Sequence, residues 1–185
     1  MKEINFAVSM TEIARKINEE QGKTGPRVQL SILPEALSSL RGNSSLETLF
    51  RRLMRFTLLK NAPGRPVRVA FCKRKTMLDM ESQFALSPLF WVHARIKASG
   101  IEGFETGIKE TLQDLGYHRD ERIAGNISDT GLDAFYSGQD HETRLIVWIQ
   151  NNKSCNKCDF LIPVTERNAL QPCGIDSLNS QTSLN

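Results

Sequence analysis

Helical and strand-like apolar periodicities alternate along this chain, and their order restricts it to folds that pack helices against a sheet. Three helical stretches open with the same device. A capping box sets Ser or Thr at the N-cap and Glu or Gln three positions on, so that each side chain satisfies a free backbone N–H. Ser9-Met10-Thr11-Glu12 has this form, with Ile13, Ala14 and Ile17 making one apolar side before Gly22, and Val8 set to staple against Ile13. Ser44-Ser45-Leu46-Glu47 has it ahead of Leu49, Phe50, Leu53, Met54 and Thr57. Ser99-Gly100-Ile101-Glu102 has it ahead of Phe104, Ile108, Thr111, Leu112 and Leu115, with Gly116 positioned to end that helix in a left-handed turn.

Between these stretches the apolar period falls to two. Strands are expected at 27–33, ending at Pro34, at 66–72 with Val67, Val69 and Phe71 on one side, and at 78–85 and 89–96 around Ser87-Pro88. Further strands are expected at 122–127, 132–136 and 144–149, the last two joined by a hairpin turn at Ser137-Gly138-Gln139-Asp140. The fold class that follows is α+β: a two-layer sandwich, its mixed or antiparallel sheet carrying about three main helices on one face. At 185 residues the chain is expected to form one domain over 1–174, with a disordered Ser/Asn/Gln-rich tail at 175–185.

Charge is distributed unevenly. Between Arg41 and Lys75 stand ten basic residues against Glu47 alone, a net +9 in a chain whose total is +3, which leaves the remainder net negative. On a helical wheel Arg51, Arg52 and Arg55 lie opposite the Leu46, Leu49, Phe50, Leu53 and Thr57 stripe, and a solvated helix would ordinarily mix signs for i,i+4 pairing. Lys60, Arg65 and Arg68 extend this basic surface along the next strand, and Lys73-Arg74-Lys75 marks the tip of the hairpin after it. These nine residues are the expected partner-binding surface. Arginine suits bidentate contact with carboxylate or phosphate. The partner expected is an acidic protein surface, which makes the chain a regulatory interaction module; the alternative is the phosphate backbone of a nucleic acid. Base stacking would require exposed aromatics among the cations, and the sequence assigns Phe50 and Phe71 to the core. Thr11–Ile17 looks like the first helix of a helix-turn-helix, but Gly25-Pro26 leads into a strand where the reading helix should be.

The run Arg27-Val-Gln-Leu-Ser-Ile-Leu-Pro-Glu-Ala-Leu, then Ser45-Leu-Glu-Thr-Leu-Phe-Arg-Arg-Leu-Met-Arg, then Lys60-Asn-Ala-Pro-Gly-Arg-Pro-Val-Arg-Val, resembles the ATP-binding domain of histidine kinases and their relatives, the GHKL or Bergerat fold. The resemblance covers Val28 to Gln150, about two thirds of the chain, and implies a strand, a long helix, a two-strand hairpin, a closing helix and two last strands. It also implies which residues would hold nucleotide, and these are missing. The family's magnesium-binding asparagine falls at about Phe56, with Asn61 a turn too late. The nearest match to its Asp-x-Gly-x-Gly turn, Asp129-Thr130-Gly131-Leu132-Asp133, lacks the second glycine and follows the third helix. No glycine-rich lid stands in the sequence. The resemblance therefore implies a degenerate relative that binds no nucleotide cofactor.

No motif in the sequence establishes a reaction, and no catalytic residue is assigned. Cys155-Asn-Lys-Cys158 has metal-like spacing, but a closed zinc site needs four ligands, and Cys72, Cys173 and His141 form no second local pair. Reduced, separate thiols are the expectation, with no metal. His93 reads as a packed histidine in a strand, and His118 as part of a polar turn over 117–122. With no signal peptide and no apolar run of membrane-spanning length, a cytoplasmic protein is expected.

Overall fold

A computed structural model of the protein describes residues 5–33, 37–40, 42–75, 88–127, 130–139, 143–152 and 154–165. The expected strand at 78–85 and tail at 175–185, together with Arg41, His141 and Cys173, lie outside them. Among the described residues the order is α1 (Phe6–Glu20), β1 (Val28–Ile32), a short 3-10 turn (Ser38–Leu40), α2 (Ser44–Lys60), β2 (Val67–Arg74), β3 (Phe90–Ala98), α3 (Phe104–Asp114), β4 (Tyr117–Arg119), α4 (Glu121–Ile127), β5 (Leu132–Ser137), β6 (Arg144–Asn152) and β7 (Cys155–Val164). The strands form one mixed sheet, β1-β2-β3-β7-β6-β5-β4, in which only β1 and β2 run parallel. A parallel pair needs a crossover, and α2 supplies it.

The α+β expectation holds. Three long helices cover one face of the sheet, burying Phe6, Phe50, Phe104 and Leu112 with Val69, Phe71, Ile96, Val147 and Phe160. Phe50 is the hub of this core: its ring meets Phe6, Phe71 and Phe160 edge-to-face at centroid distances of 6.4, 5.0 and 5.5 Å. Such pairs add about 0.5–1.5 kcal/mol each beyond area burial. Asn18 of α1 ties the edge strand down. Its carboxamide donates to the Val28 carbonyl at 3.0 Å and accepts from the Val28 N–H at 2.8 Å, doing for β1 what a neighbouring strand would do.

The helix starts differ from the capping-box expectation. Asn5 caps α1 by accepting from the Ala7 N–H, and Phe6 is buried, so the helix begins before Ser9 and carries that serine inside it. Asn43, not Ser44, caps α2 through the Leu46 N–H. The Ser99 box does not form because its backbone is held elsewhere: Asn61 accepts from the Ser99 N–H and Asn156 from the Ile101 N–H, both at 2.7 Å. α3 instead follows Gly103 in a left-handed conformation (φ 69°). Gly116 does end it in a left-handed turn (φ 82°).

Two strand assignments also change. Residues 122–127 are helical: Asp120 caps the turn through the Ala124 and Ile123 N–H groups, and Ile123, Ala124 and Ile127 share a helical face. This short α4 lies on the other face of the sheet, over Trp91, Leu132, Ala134, Ile146 and Leu161. The polar turn expected at 117–122 opens instead as β4, an edge strand on β5.

Candidate functional site

Away from α4, no described helix covers the second face of the sheet, and register fixes what it displays. Each strand there alternates an apolar residue toward the helices with an outward residue. One row across the strands reads Gln29, Arg68, Lys97, Lys157, Gln150; the next reads Ser31, Ala70, Arg95, Asp159, Trp148; a third reads Cys72, His93, Leu161, Ile146.

A buried carboxylate organises the middle of this face. Asp159, only 3% exposed, accepts from Arg95 Nε and from His93 Nε2 through the same oxygen, both at 2.7 Å. Arg74 Nε donates to His93 Nδ1 at 2.7 Å. An arginine nitrogen can only donate, so His93 carries its proton on Nε2 and is locked between cation and carboxylate. Burial alone would raise the Asp159 carboxyl, but the bonds from His93 and Arg95 and the Arg95 charge outweigh it and hold the group below the ordinary aspartate value. Its second oxygen is buried with no hydrogen-bond partner among the described residues. Arg95 is thereby neutralised, and His93 is a strand-borne packed histidine, as expected from the sequence.

The adjoining row is not neutralised. Arg68 stands directly opposite Lys97, and Lys97 directly opposite Lys157. Among the described residues no carboxylate lies within 4.0 Å of any of the three. Like charges opposite one another destabilise a sheet, so this row costs stability. Beside it Trp148 is 40% exposed, with the Lys157 ammonium 5.8 Å from its ring centroid.

The basic residues singled out from sequence divide between two faces. Arg51, Arg52 and Arg55 emerge from the solvent side of α2, on the helical layer, with Lys60 exposed at its end. Arg68 and Arg74 leave on the opposite side of the sheet, so the helix and the strand do not form one continuous surface. The helix face is also of mixed sign. Arg55 forms a bidentate pair with Glu20 at 2.7 and 3.0 Å, which holds its guanidinium above the ordinary value, and Arg52 lies 3.9 Å from Asp114. Arg51 lines a groove of about 500 Å³ between α1 and α2 with Val8, Ile13, Lys16 and two glutamates. Lys73 points to the helix side and covers the Phe90 ring at 4.2 Å. Arg74 sits inside the β2–β3 ladder opposite Trp91 rather than at a hairpin tip, and Lys75 follows the end of β2.

The other candidates resolve by the same alternation. Cys155 and Cys158, three apart in β7, point to opposite faces; Cys158 is buried, and burial with the Asp159 charge pushes its thiol up. Such a pair cannot chelate one ion. Among the described residues no group of three or more His, Cys, Asp or Glu is arranged to hold a metal. Phe56 packs its ring against Gly107 of α3 so closely that a Cβ there would fall 2.1 Å from Cζ. Asp133, which ends the incomplete match to the Asp-x-Gly-x-Gly turn, pairs with Arg119 at 2.9 Å.

Sequence reasoning missed Arg95, Lys97, Trp148, Lys157 and Asp159. The signal was present for β7: Cys155, Lys157 and Asp159 alternate with Asn156, Cys158 and Phe160. Pro163 is an unfavourable residue for a central strand. It is tolerated because the β6 partner ladder ends at Ile146–Leu161, before Pro163 is reached.

No family model matches the sequence, and no curated protein matches it. Among solved structures the chain resembles full-length ShkA, a histidine kinase, in its crystal structure in complex with AMPPNP. The TM-score is 0.45 at 9% identity, over 88% of this chain and 31% of ShkA, so the chain spans about a third of that protein. This is a weak resemblance to a kinase-type protein. No described helix is long and apolar enough to cross a membrane.

Proposed function

We propose that the protein is a binding module that takes the phosphate backbone of a single-stranded nucleic acid on the face of its sheet opposite the three long helices. One observation carries this reading: Arg68, Lys97 and Lys157 form a cationic row with no carboxylate within 4.0 Å among the described residues, beside an exposed indole. Neighbouring strands lie about 4.8 Å apart, so the three cations make a continuous track. A sheet that bears like charges side by side gains when an anion occupies them, and a nucleic-acid strand supplies one negative charge per nucleotide. Trp148 supplies the flat ring on which a base stacks, worth about 1–3 kcal/mol per base in such sites. A cytoplasmic setting belongs to the same proposal. So does a degenerate kinase-type scaffold, with Phe56 standing where that family has its metal-binding asparagine.

The test is fluorescence anisotropy with a labelled single-stranded oligonucleotide at low salt. Reversing Arg68, Lys97 and Lys157 to Glu should abolish binding, whereas reversing Arg51, Arg52 and Arg55 should leave most of it. Absence of binding at low salt, or binding indifferent to the sheet-face reversal, refutes the reading. A second reading, a regulatory module for an acidic protein surface, is favoured by the groove between α1 and α2, where Val8 is 61% exposed beside Arg51. In that case recovery of a purified partner should fall with Val8→Asp and Arg51→Glu and be unaffected by the sheet-face reversal.

A further inference from the structure

At the margin of the cationic row the sheet is notched. A cleft of about 290 Å³ opens there, lined by Arg65, Arg68, Lys97, Ser99, Ser154 and Cys155 among others, with three cations and no acidic residue among the described residues. Arg68 and Lys97 belong to the row, so the cleft is continuous with it. Its other walls are held by one side chain. Asn61, just past α2, accepts from the Ser99 N–H at 2.7 Å and donates to the Arg65 carbonyl, while the Ala62 N–H bonds the Ser99 carbonyl at 2.9 Å. Gly64 makes the turn between them in a left-handed conformation (φ 74°). The Ser99 and Arg65 backbones are thus fixed across the notch, and the hydroxyls of Ser99 and Ser154 have no hydrogen-bond partner among the described residues.

Three cations and two hydroxyls lining one cleft exceed what an internal phosphodiester, with one negative charge, requires. A phosphate monoester carries about −1.5 to −2 at neutral pH and offers three acceptor oxygens. The volume lies at the small end of ligand pockets and accommodates a phosphate with part of its sugar, not a whole nucleotide stack. We infer that this cleft takes the terminal phosphate monoester of the bound strand, an inference that rests on the nucleic-acid reading of the adjoining face. Asn61 is then a positioning residue: it touches no ligand and sets the distance between the Arg65 and Ser99 walls.

The experiment compares three oligonucleotides of one sequence, bearing a 5′-phosphate, a 3′-phosphate or neither, by anisotropy with the full chain. One phosphorylated form should bind about tenfold tighter than the unphosphorylated one, the equivalent of one charge-assisted hydrogen bond, and the favoured end gives the polarity of the strand. Ser99→Ala with Ser154→Ala, and separately Asn61→Ala, should bring that ratio toward one. The preference should also shrink at pH 5.5, where most of the monoester dianion has taken up a proton and carries one negative charge. Equal affinity for all three oligonucleotides, with binding intact, overturns the cleft and leaves the face standing. If no oligonucleotide binds, the face reading falls and pyrophosphate tests the cleft alone. Amide shifts at Arg65, Ser99 and Ser154 in an NMR titration with pyrophosphate then support an anion site, and their absence overturns it.

Discussion

Lys97→Gln should weaken binding and stabilise the fold at the same time. Lys97 is the middle of the row, directly opposite Arg68 on one side and Lys157 on the other. Opposed like charges cost roughly 0.2–1 kcal/mol per pair, and the glutamine relieves both pairs while keeping a polar side chain of similar reach. A gain of about 0.4–2 kcal/mol follows, and each 1 kcal/mol raises Tm by about 2–4 °C in a chain of this size. Binding moves the other way. Three cations on a single strand give a log–log salt slope of about −2, at roughly −0.7 for each neutralised phosphate. Raising salt fourfold, from 50 to 200 mM, then weakens the wild type about 20-fold. With Lys97 gone the slope falls to about −1.4 and the same change costs only about sevenfold. Anisotropy at several salt concentrations and differential scanning calorimetry read the two halves. A lower Tm with an unchanged slope would refute the reasoning, because the lysine would then be serving the sheet through its aliphatic stem.

Asp159→Ala should cost about 1–3 kcal/mol, because the neutral, buried His93 is left with an unsatisfied N–H while Arg95 can turn to water; denaturant unfolding measures it. The Asp159 carboxyl is depressed in the folded state, so its stabilisation is complete above the unfolded aspartate value near pH 3.9 and is lost as pH falls below it. Asp159→Asn should flatten that acid limb in a Tm–pH series. Phe50→Ala, at the centre of three ring contacts and fully buried, should cost about 3–5 kcal/mol in the same unfolding assay. Arg55→Gln removes only an exposed pair with Glu20 and should leave both Tm and oligonucleotide affinity unchanged within error.

Local periodicity was enough to find α2 and its two faces: the stripe from Leu46 to Thr57 is buried, and Arg51, Arg52 and Arg55 point to solvent. It also fixed the inward side of β2, since Val67, Val69 and Phe71 can only face a core. Helix starts were less legible. A capping box is one of several bids for the same N–H groups, and Asn5, Asn43 and Asn61 made better ones. The segment 122–127 was ambiguous because its two isoleucines and alanine fit a helical turn as readily as a strand, and Asp120 decided it.

The sequence by itself determined that helices would lie on a sheet, which side of α2 and of β2 would be buried, and that positive charge would crowd one stretch of chain. Only the tertiary structure decided where that charge acts. The crowded stretch is split across two faces by the alternation of β2, and two of its helical arginines have acidic neighbours from α1 and the end of α3. The cationic row across the sheet is completed by Lys97 and Lys157, which stand outside the stretch and about sixty residues apart. Their adjacency is a matter of strand order and register. Those are set by how the whole core closes, a non-local balance of packing that no window of sequence contains.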